Sequence, residues 1–208
     1  MAASTRAVPS SLRSVPIYDE SAKRIADVYE STTFERVHAG IIDLLPSPGA
    51  SVLDVGSGSG RDAAALAARG YRVTAVEPSH GLREEAKRRH GDANIEWLDD
   101  ALPDLHILGE RRFAFILVSA VWMHLVSRDR LAAMRRLSQL LEAGGRLAIS
   151  IRRGPVDRSR AFATVTTDAV EASALKSGLR LVRKFEAKDA LARADIAWST
   201  LALEKDAR

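Results

Sequence analysis

A chain of 208 residues, 46% of them hydrophobic and 28% charged, suffices for one domain with a sizeable buried core. It holds no cysteine, which excludes disulfides, thiolate metal sites and cysteine nucleophiles together. The net charge of +4 is mild and its basic residues are scattered over helix-like stretches, so charge does not favour a nucleic-acid partner, and no apolar run nears the roughly 20 residues that span a bilayer.

The first sixteen residues carry Arg6 and Arg13 among Ala and Ser and contain no acid. They superficially suit an organelle transit peptide but read better as a flexible tail, with a cytoplasmic location as the default. Ser21–Tyr29 and Phe34–Leu45 are helical in pattern, so residues 1–45 form a helical preface that can act as a lid; Pro46 and Pro48 then break the chain. From Ser51 onward, strand-like and helix-like segments alternate. Ser51–Val55 is a short apolar run, Asp62–Arg69 an alanine-rich helix stopped by Gly70, Arg72–Val76 a β-branched strand, and Leu82–His90 a helix closed by Gly91. Ile95–Leu98 is a third strand and Phe113–Val118 a continuous apolar fourth, as a strand covered on both faces requires. A helix over Arg128–Leu141, a strand over Gly145–Ile151, a helix over Thr167–Lys176 and strands over Leu179–Glu186 and Ala197–Glu204 complete the order. The expected fold is a Rossmann-like, doubly wound, seven-stranded, mostly parallel α/β sheet with an antiparallel edge, occupying residues 46–208 after the helical segment.

The turn from the first strand into the first helix reads Val52-Leu53-Asp54-Val55-Gly56-Ser57-Gly58-Ser59-Gly60. Glycines there let the backbone turn sharply and approach a ligand. Glu77 closes the next strand, 21 residues beyond Gly56, where an acid grips a ribose diol. A dinucleotide fingerprint needs a small residue where Arg61 stands, and the Asp54 carboxylate repels a pyrophosphate while attracting an ammonium or sulfonium group. Charge logic therefore favours S-adenosylmethionine over NAD.

Further landmarks follow in order: Ala75-Val76-Glu77-Pro78-Ser79, Trp97-Leu98-Asp99-Asp100-Ala101, Ser119-Ala120-Val121-Trp122-Met123-His124-Leu125, and Leu140 to Ile149 with its Gly144-Gly145 pair. Together with the glycine loop they resemble the class I S-adenosylmethionine-dependent methyltransferases over about residues 50–152. That resemblance implies a methyltransferase using S-adenosylmethionine. It implies that Asp54, Gly56, Ser57, Gly58 and Arg61 meet the methionine end, that Glu77 and Pro78 meet the ribose and adenine edge, and that Asp99, Asp100 and Ala101 meet the adenine, with Asp100 the better candidate. Ser119, Ala120 and Val121 then lie beside the transferable methyl, and His124 is the candidate catalytic residue, as general base or substrate-orienting group; a capping role for it stays open. Gly60 fits helix–strand packing better than ligand contact, and Trp122 fits packing under the N-terminal helices better than a substrate pocket. Tyr18 or Tyr29 can cover the donor from the N-terminal segment. Arg152, Arg153, Arg158 and Arg160 stand near the expected substrate mouth, where an anionic substrate, nucleic-acid phosphates or plain solvation account for them.

The five histidines show no paired ligand spacing, so no metal is expected. A small-molecule acceptor is the first expectation. An RNA or protein methyltransferase and a non-catalytic S-adenosylmethionine-binding protein are the alternatives, and a nucleotide-dependent oxidoreductase is a distant one. The acceptor and the oligomeric state have no motif in the sequence.

Overall fold

The computed structural model describes residues 10–207; residues 1–9 of the expected tail lie outside the described residues. Seven strands form one sheet: β1 (Ser51–Val55), β2 (Arg72–Val76), β3 (Ile95–Leu98), β4 (Phe113–Val118), β5 (Leu141–Arg153), β6 (Leu179–Lys188) and β7 (Ala197–Lys205). Their order is β3-β2-β1-β4-β5-β7-β6. The first five run parallel, and β7 lies antiparallel between β5 and β6. The expected antiparallel edge is present, with β7 inserted so that β6 is outermost. Composition explains the placement. Ser199 to Leu203 of β7 are buried throughout, whereas β6 alternates with Arg180, Arg183 and Lys184, charges that discourage further strand pairing.

The helices are α1 (Val15–Glu20), α2 (Ala22–Glu30), α3 (Phe34–His38), α4 (Arg61–Ala68), α5 (His80–His90), α6 (Ser127–Leu140) and α7 (Thr167–Leu175). Side chains alternate along the strands and divide the core in two. Leu53, Val55, Ile116, Val118, Leu147 and Ile149 pack with α6 and α7 on one face, through Met134, Leu137 and Val170. Val52, Phe115, Leu117 and Ala148 pack on the other with Phe34, Ile41 and the α4 residues Ala63 and Leu66. Side-chain oxygens cap several helices: Thr33 accepts from the Arg36 N–H, Ser79 from Leu82 and Thr166 from Ala169.

Three expectations are modified. Phe34–Leu45 is not one helix: α3 ends at His38 and residues 39–44 tighten into a 3₁₀ turn. There Gly40 lies against the Phe185 ring with no room for a Cβ. β5 begins at Leu141 because Leu141 pairs with Phe113 before a register shift. Ser10–Ser14, read as part of a flexible tail, is a 3₁₀ turn whose Ser10, Ser11 and Ser14 are buried. Serine hydroxyls hold it: Ser10 donates to Asp129 at 2.6 Å and Ser11 to the Leu102 carbonyl.

Candidate active site

Parallel strands deliver their C-terminal ends to one rim, and the loops leaving β1 to β5 enclose a cavity of about 460 Å³ there. That is within the roughly 300–1,000 Å³ typical of small-molecule sites. Helices α1 and α2 form one wall; the segment after β5 and the β6–β7 connector form the opposite one.

The glycine loop is the floor. The N–H groups of Gly56 and Ser57 both donate to the Val76 carbonyl, at 2.7 and 3.0 Å, which locks the loop onto β2. Gly56 has φ +71°, and a Cβ there would collide with Val121. Gly58 has φ +57°, and a Cβ there would stand 3.3 Å from the Tyr29 ring, so the cleft above the loop exists only because no side chain fills it. Gly60 does pack a helix against a strand, as expected: its missing Cβ faces Trp97 at 2.7 Å and Ala86 at 3.0 Å.

Glu77 is buried at the end of β2. Its Oε2 accepts from the Gly58 N–H and its Oε1 from the Ser79 N–H, both at 2.9 Å. Burial pushes its carboxyl up to about 7 even against these two donors. Each oxygen keeps a lone pair that can accept from a ligand hydroxyl. Pro78 lines the wall beside it.

Asp54 does not reach the cavity wall. It is 1% exposed beneath the glycine loop, and its Oδ2 is a buried oxygen with no partner. Burial and the neighbouring Asp62 raise its pKa well above the carboxylate range. Asp62 is the ionised member of the pair. Despite burial, His38 at 2.9 Å and Arg61 at 2.8 Å hold it well below the usual range. Arg61 lines the wall, but all three of its guanidinium nitrogens are engaged. Nε and Nη2 donate to Asp62, and Nη1 donates to the Tyr29 carbonyl at 3.1 Å. It clamps α4 to α2 with three of its five N–H donors, which ties the guanidinium to the wall.

Of the paired acids after β3, Asp100 lines the cavity with Ala101 and Leu102. Its oxygens accept from the N–H groups of Ala101 at 2.8 Å and Ile107 at 2.7 Å, which shapes the loop. Asp99 is a correction. It turns outward, its side chain 64% exposed, to pair with Arg83 at 2.8 Å. The loop that leaves β3 carries the two acids to different surroundings, and only Asp100 lines the cavity.

Ser119, Ala120 and Val121 line the rim after β4. Ala120 adopts the left-handed φ of 57°, and its N–H donates to Ser150 Oγ at 2.8 Å. Ser150 of β5, also in the wall, was missed from sequence; the signal was a lone hydroxyl inside the apolar run Leu147–Ile151. Trp122, by contrast, is wholly buried in the core that packs on α6 and α7.

His124 lines the cavity with both ring nitrogens engaged. Nδ1 lies 2.9 Å from Ser14 Oγ and Nε2 lies 3.3 Å from the Tyr18 hydroxyl. Burial, reinforced by the Arg160 charge, pushes its pKa down to about 4. Its ring meets Phe162 edge-on at 4.8 Å and Tyr18 at 5.6 Å. The Tyr18 and Tyr29 side chains line the same cavity, and burial raises both phenols. Among the four arginines near the mouth, Arg152 and Arg160 line it; Arg153 instead pairs with Glu186, and Arg158 is exposed outside. The β6–β7 hairpin end, absent from the sequence reading of the site, contributes Lys188 at the end of β6, Asp189 and Arg193 in the connector and Trp198 at the start of β7. Among the described residues no cluster of three or more His, Asp or Glu is arranged to hold a metal ion.

Residues 52–145 match the family model of a methyltransferase domain. The chain is 31% identical over 105 residues to a demethylmenaquinone methyltransferase of Clavibacter sepedonicus, an alignment covering 50% of this chain and 42% of that protein. The chain spans 42% to 51% of the length of the curated relatives it matches. A solved 1,6-didemethyltoxoflavin-N1-methyltransferase of Burkholderia thailandensis, with bound 1,6-didemethyltoxoflavin and S-adenosylhomocysteine, superposes with a TM-score of 0.76 at 20% identity. That superposition covers 99% of this chain and 93% of the other. A solved cyclase superposes with a TM-score of 0.74 at 14% identity, over 97% and 98% of the two chains. Both show the fold, the class I methyltransferase architecture; the cyclase shows that the fold alone does not dictate the reaction.

Proposed function

We propose that the protein is an S-adenosylmethionine-dependent methyltransferase acting on a small-molecule acceptor. The observation that carries this reading is the strand-end constellation: a glycine loop held open for a ligand, buried Glu77 beside it and Asp100-Ala101 beyond. The residues fit the cofactor. Ser57 Oγ is a buried hydroxyl without a partner at the loop, and Glu77 has spare lone pairs for two hydroxyls. When bound, the cofactor supplies a methyl carbon made electrophilic by its sulfonium.

In this reading Glu77 takes the ribose diol, the spare lone pairs of Asp100 take the adenine edge beside Ala101, and the glycine loop with Ser57 takes the methionine end. Pro78 borders the adenine side. Ser119 to Val121 hold the reacting carbon at the rim, and Tyr18 and Tyr29 exclude water from the N-terminal side, so residues 10–45 serve as a cover. His124, neutral at physiological pH and pinned between two hydroxyls, is a positioning residue for the acceptor rather than a strong base. Placement of two reactants in line is by itself worth up to about 7–11 kcal/mol, so a strong base is not required. The small-molecule acceptor is supported by the enclosed cavity and by the acceptors named for the two methyltransferase relatives. No helix among the described residues is long and apolar enough to cross a membrane; we read the location as cytoplasmic.

Calorimetric titration with S-adenosylhomocysteine, with NAD as control, tests the reading. Micromolar binding of the first alone supports it. NAD binding, or no binding of S-adenosylhomocysteine, overturns it.

A further inference from the structure

The far wall of the cavity is unevenly charged. Arg152, Arg160, Lys188 and Arg193 stand on it with Asp157 and Asp189. Asp189 is fully engaged: it accepts from the Arg193 main-chain N–H, from Arg193 Nε and Nη2, and from Trp198 Nε1, all within 3.1 Å. Asp157 accepts from the Ser159 hydroxyl and the Arg160 N–H, and only the Nε of the Arg160 guanidinium approaches it, at 3.5 Å. Among the described residues, Arg152 donates to the Pro155 carbonyl alone. Two guanidinium groups thus line the cavity with most of their donors unspent.

Their placement is specific. The Arg152 guanidinium lies 5.9 Å from the Phe162 ring centre, and Arg160 lies 5.9 Å from that of Tyr18. Phe162 and Tyr18 are the two rings that meet His124. Each arginine therefore lies over an aromatic ring that itself meets His124. Ser119 to Val121 line the same cavity as both arginines. Arg160 is held in place by Asp157 and Tyr18, with 28% of its side chain exposed, unlike an arginine extended into solvent.

We propose that the methyl acceptor is a small, flat molecule bearing an anionic oxygen group, carboxylate or phosphate, which Arg152 and Arg160 grip while its nucleophilic atom lies beside His124. The inference rests on the methyltransferase reading above. Guanidinium forks match planar or tetrahedral oxyanions through paired N–H donors, and the rings of Phe162, Tyr18 and His124 supply an apolar slot for a flat body.

The test is a ligand-detected NMR titration of the S-adenosylhomocysteine-saturated protein with benzoate, phenyl phosphate and uncharged benzamide. One of the two anions is expected to bind at least about tenfold more tightly than benzamide, as charge-assisted hydrogen bonds imply; the better anion names the group. The Arg152→Gln/Arg160→Gln double variant is expected to lose the preference, and Arg158→Gln, outside the cavity, to keep it. Retained S-adenosylhomocysteine binding verifies each fold; if the double variant loses it, Arg152→Gln alone must cut the preference at least threefold. Benzamide matching both anions, no binding of either anion, or a preference that survives the substitutions overturns the inference. A wild-type protein that takes no S-adenosylhomocysteine refutes instead the function on which it rests.

Discussion

Glu77 shows how one residue serves both the fold and the proposed chemistry. Its carboxyl is buried against two backbone N–H groups, and burial lifts it to about 7, above its ordinary 4.5. For the free protein, a raised carboxyl pKa is stabilising below about pH 4.5, and that contribution is lost as pH rises through 7. Accepting from ribose hydroxyls requires the ionised form, so binding releases a proton below pH 7. S-Adenosylhomocysteine affinity is therefore expected to strengthen as pH rises from 6 to 8 and then level off, read by calorimetry in buffers of different ionisation enthalpy. Glu77→Gln is expected to weaken binding about 10- to 100-fold, the worth of charge-assisted hydrogen bonds, and to abolish that pH dependence. Unchanged affinity would remove Glu77 from the ribose site. Its place at a strand end was legible in sequence because it follows from strand length and spacing. Asp100 was preferred over Asp99 through the family resemblance; the physical reason, a loop path that turns one acid to Arg83 and the other to the cavity, has no local signal.

Among the elements, the β1–α4 turn carries the tightest local constraint. Gly60 opens α4 at φ +87° with Trp97, Ala86 and His90 closing over it. Gly60→Ala would place a Cβ in an unfavourable backbone region and against the Trp97 ring. The expected cost is about 1–3 kcal/mol in urea unfolding, with S-adenosylhomocysteine affinity of the folded protein little changed because the residue points away from the cavity. A stability change below about 0.5 kcal/mol would contradict this packing role. Hydrophobic periodicity made the sheet elements legible, whereas the N-terminal segment was read less well. Ser10–Ser14 looks like a polar tail, yet its hydroxyls find Asp129, the Leu102 carbonyl and His124, all more than 90 residues away. Long-range polar partners leave no local pattern for a sequence to display.

At the scale of the whole molecule, the cavity draws its walls from the N-terminal helices, five strand ends and the β6–β7 connector, so ligand binding couples segments distant in the chain. S-Adenosylhomocysteine at 100 times its Kd is expected to add about 2.7 kcal/mol of stability, raising Tm by roughly 5–10 °C for a chain of this size. Differential scanning fluorimetry measures this; an unchanged Tm under saturation would show that the cavity is not its site. The sequence alone determined the alternation of strands and helices, the parallel sheet, the glycine loop and the acid at the second strand end. Each of these rests on local spacing and backbone preference. The tertiary structure alone decided that β7 slips between β5 and β6, that Asp54 stays beneath the floor, and that Arg61 is tied to Asp62 and Tyr29. It alone brings Arg152, Arg160 and His124 around one slot. Those outcomes depend on which buried charges and hydroxyls meet across the fold, and such pairings are settled by packing in three dimensions.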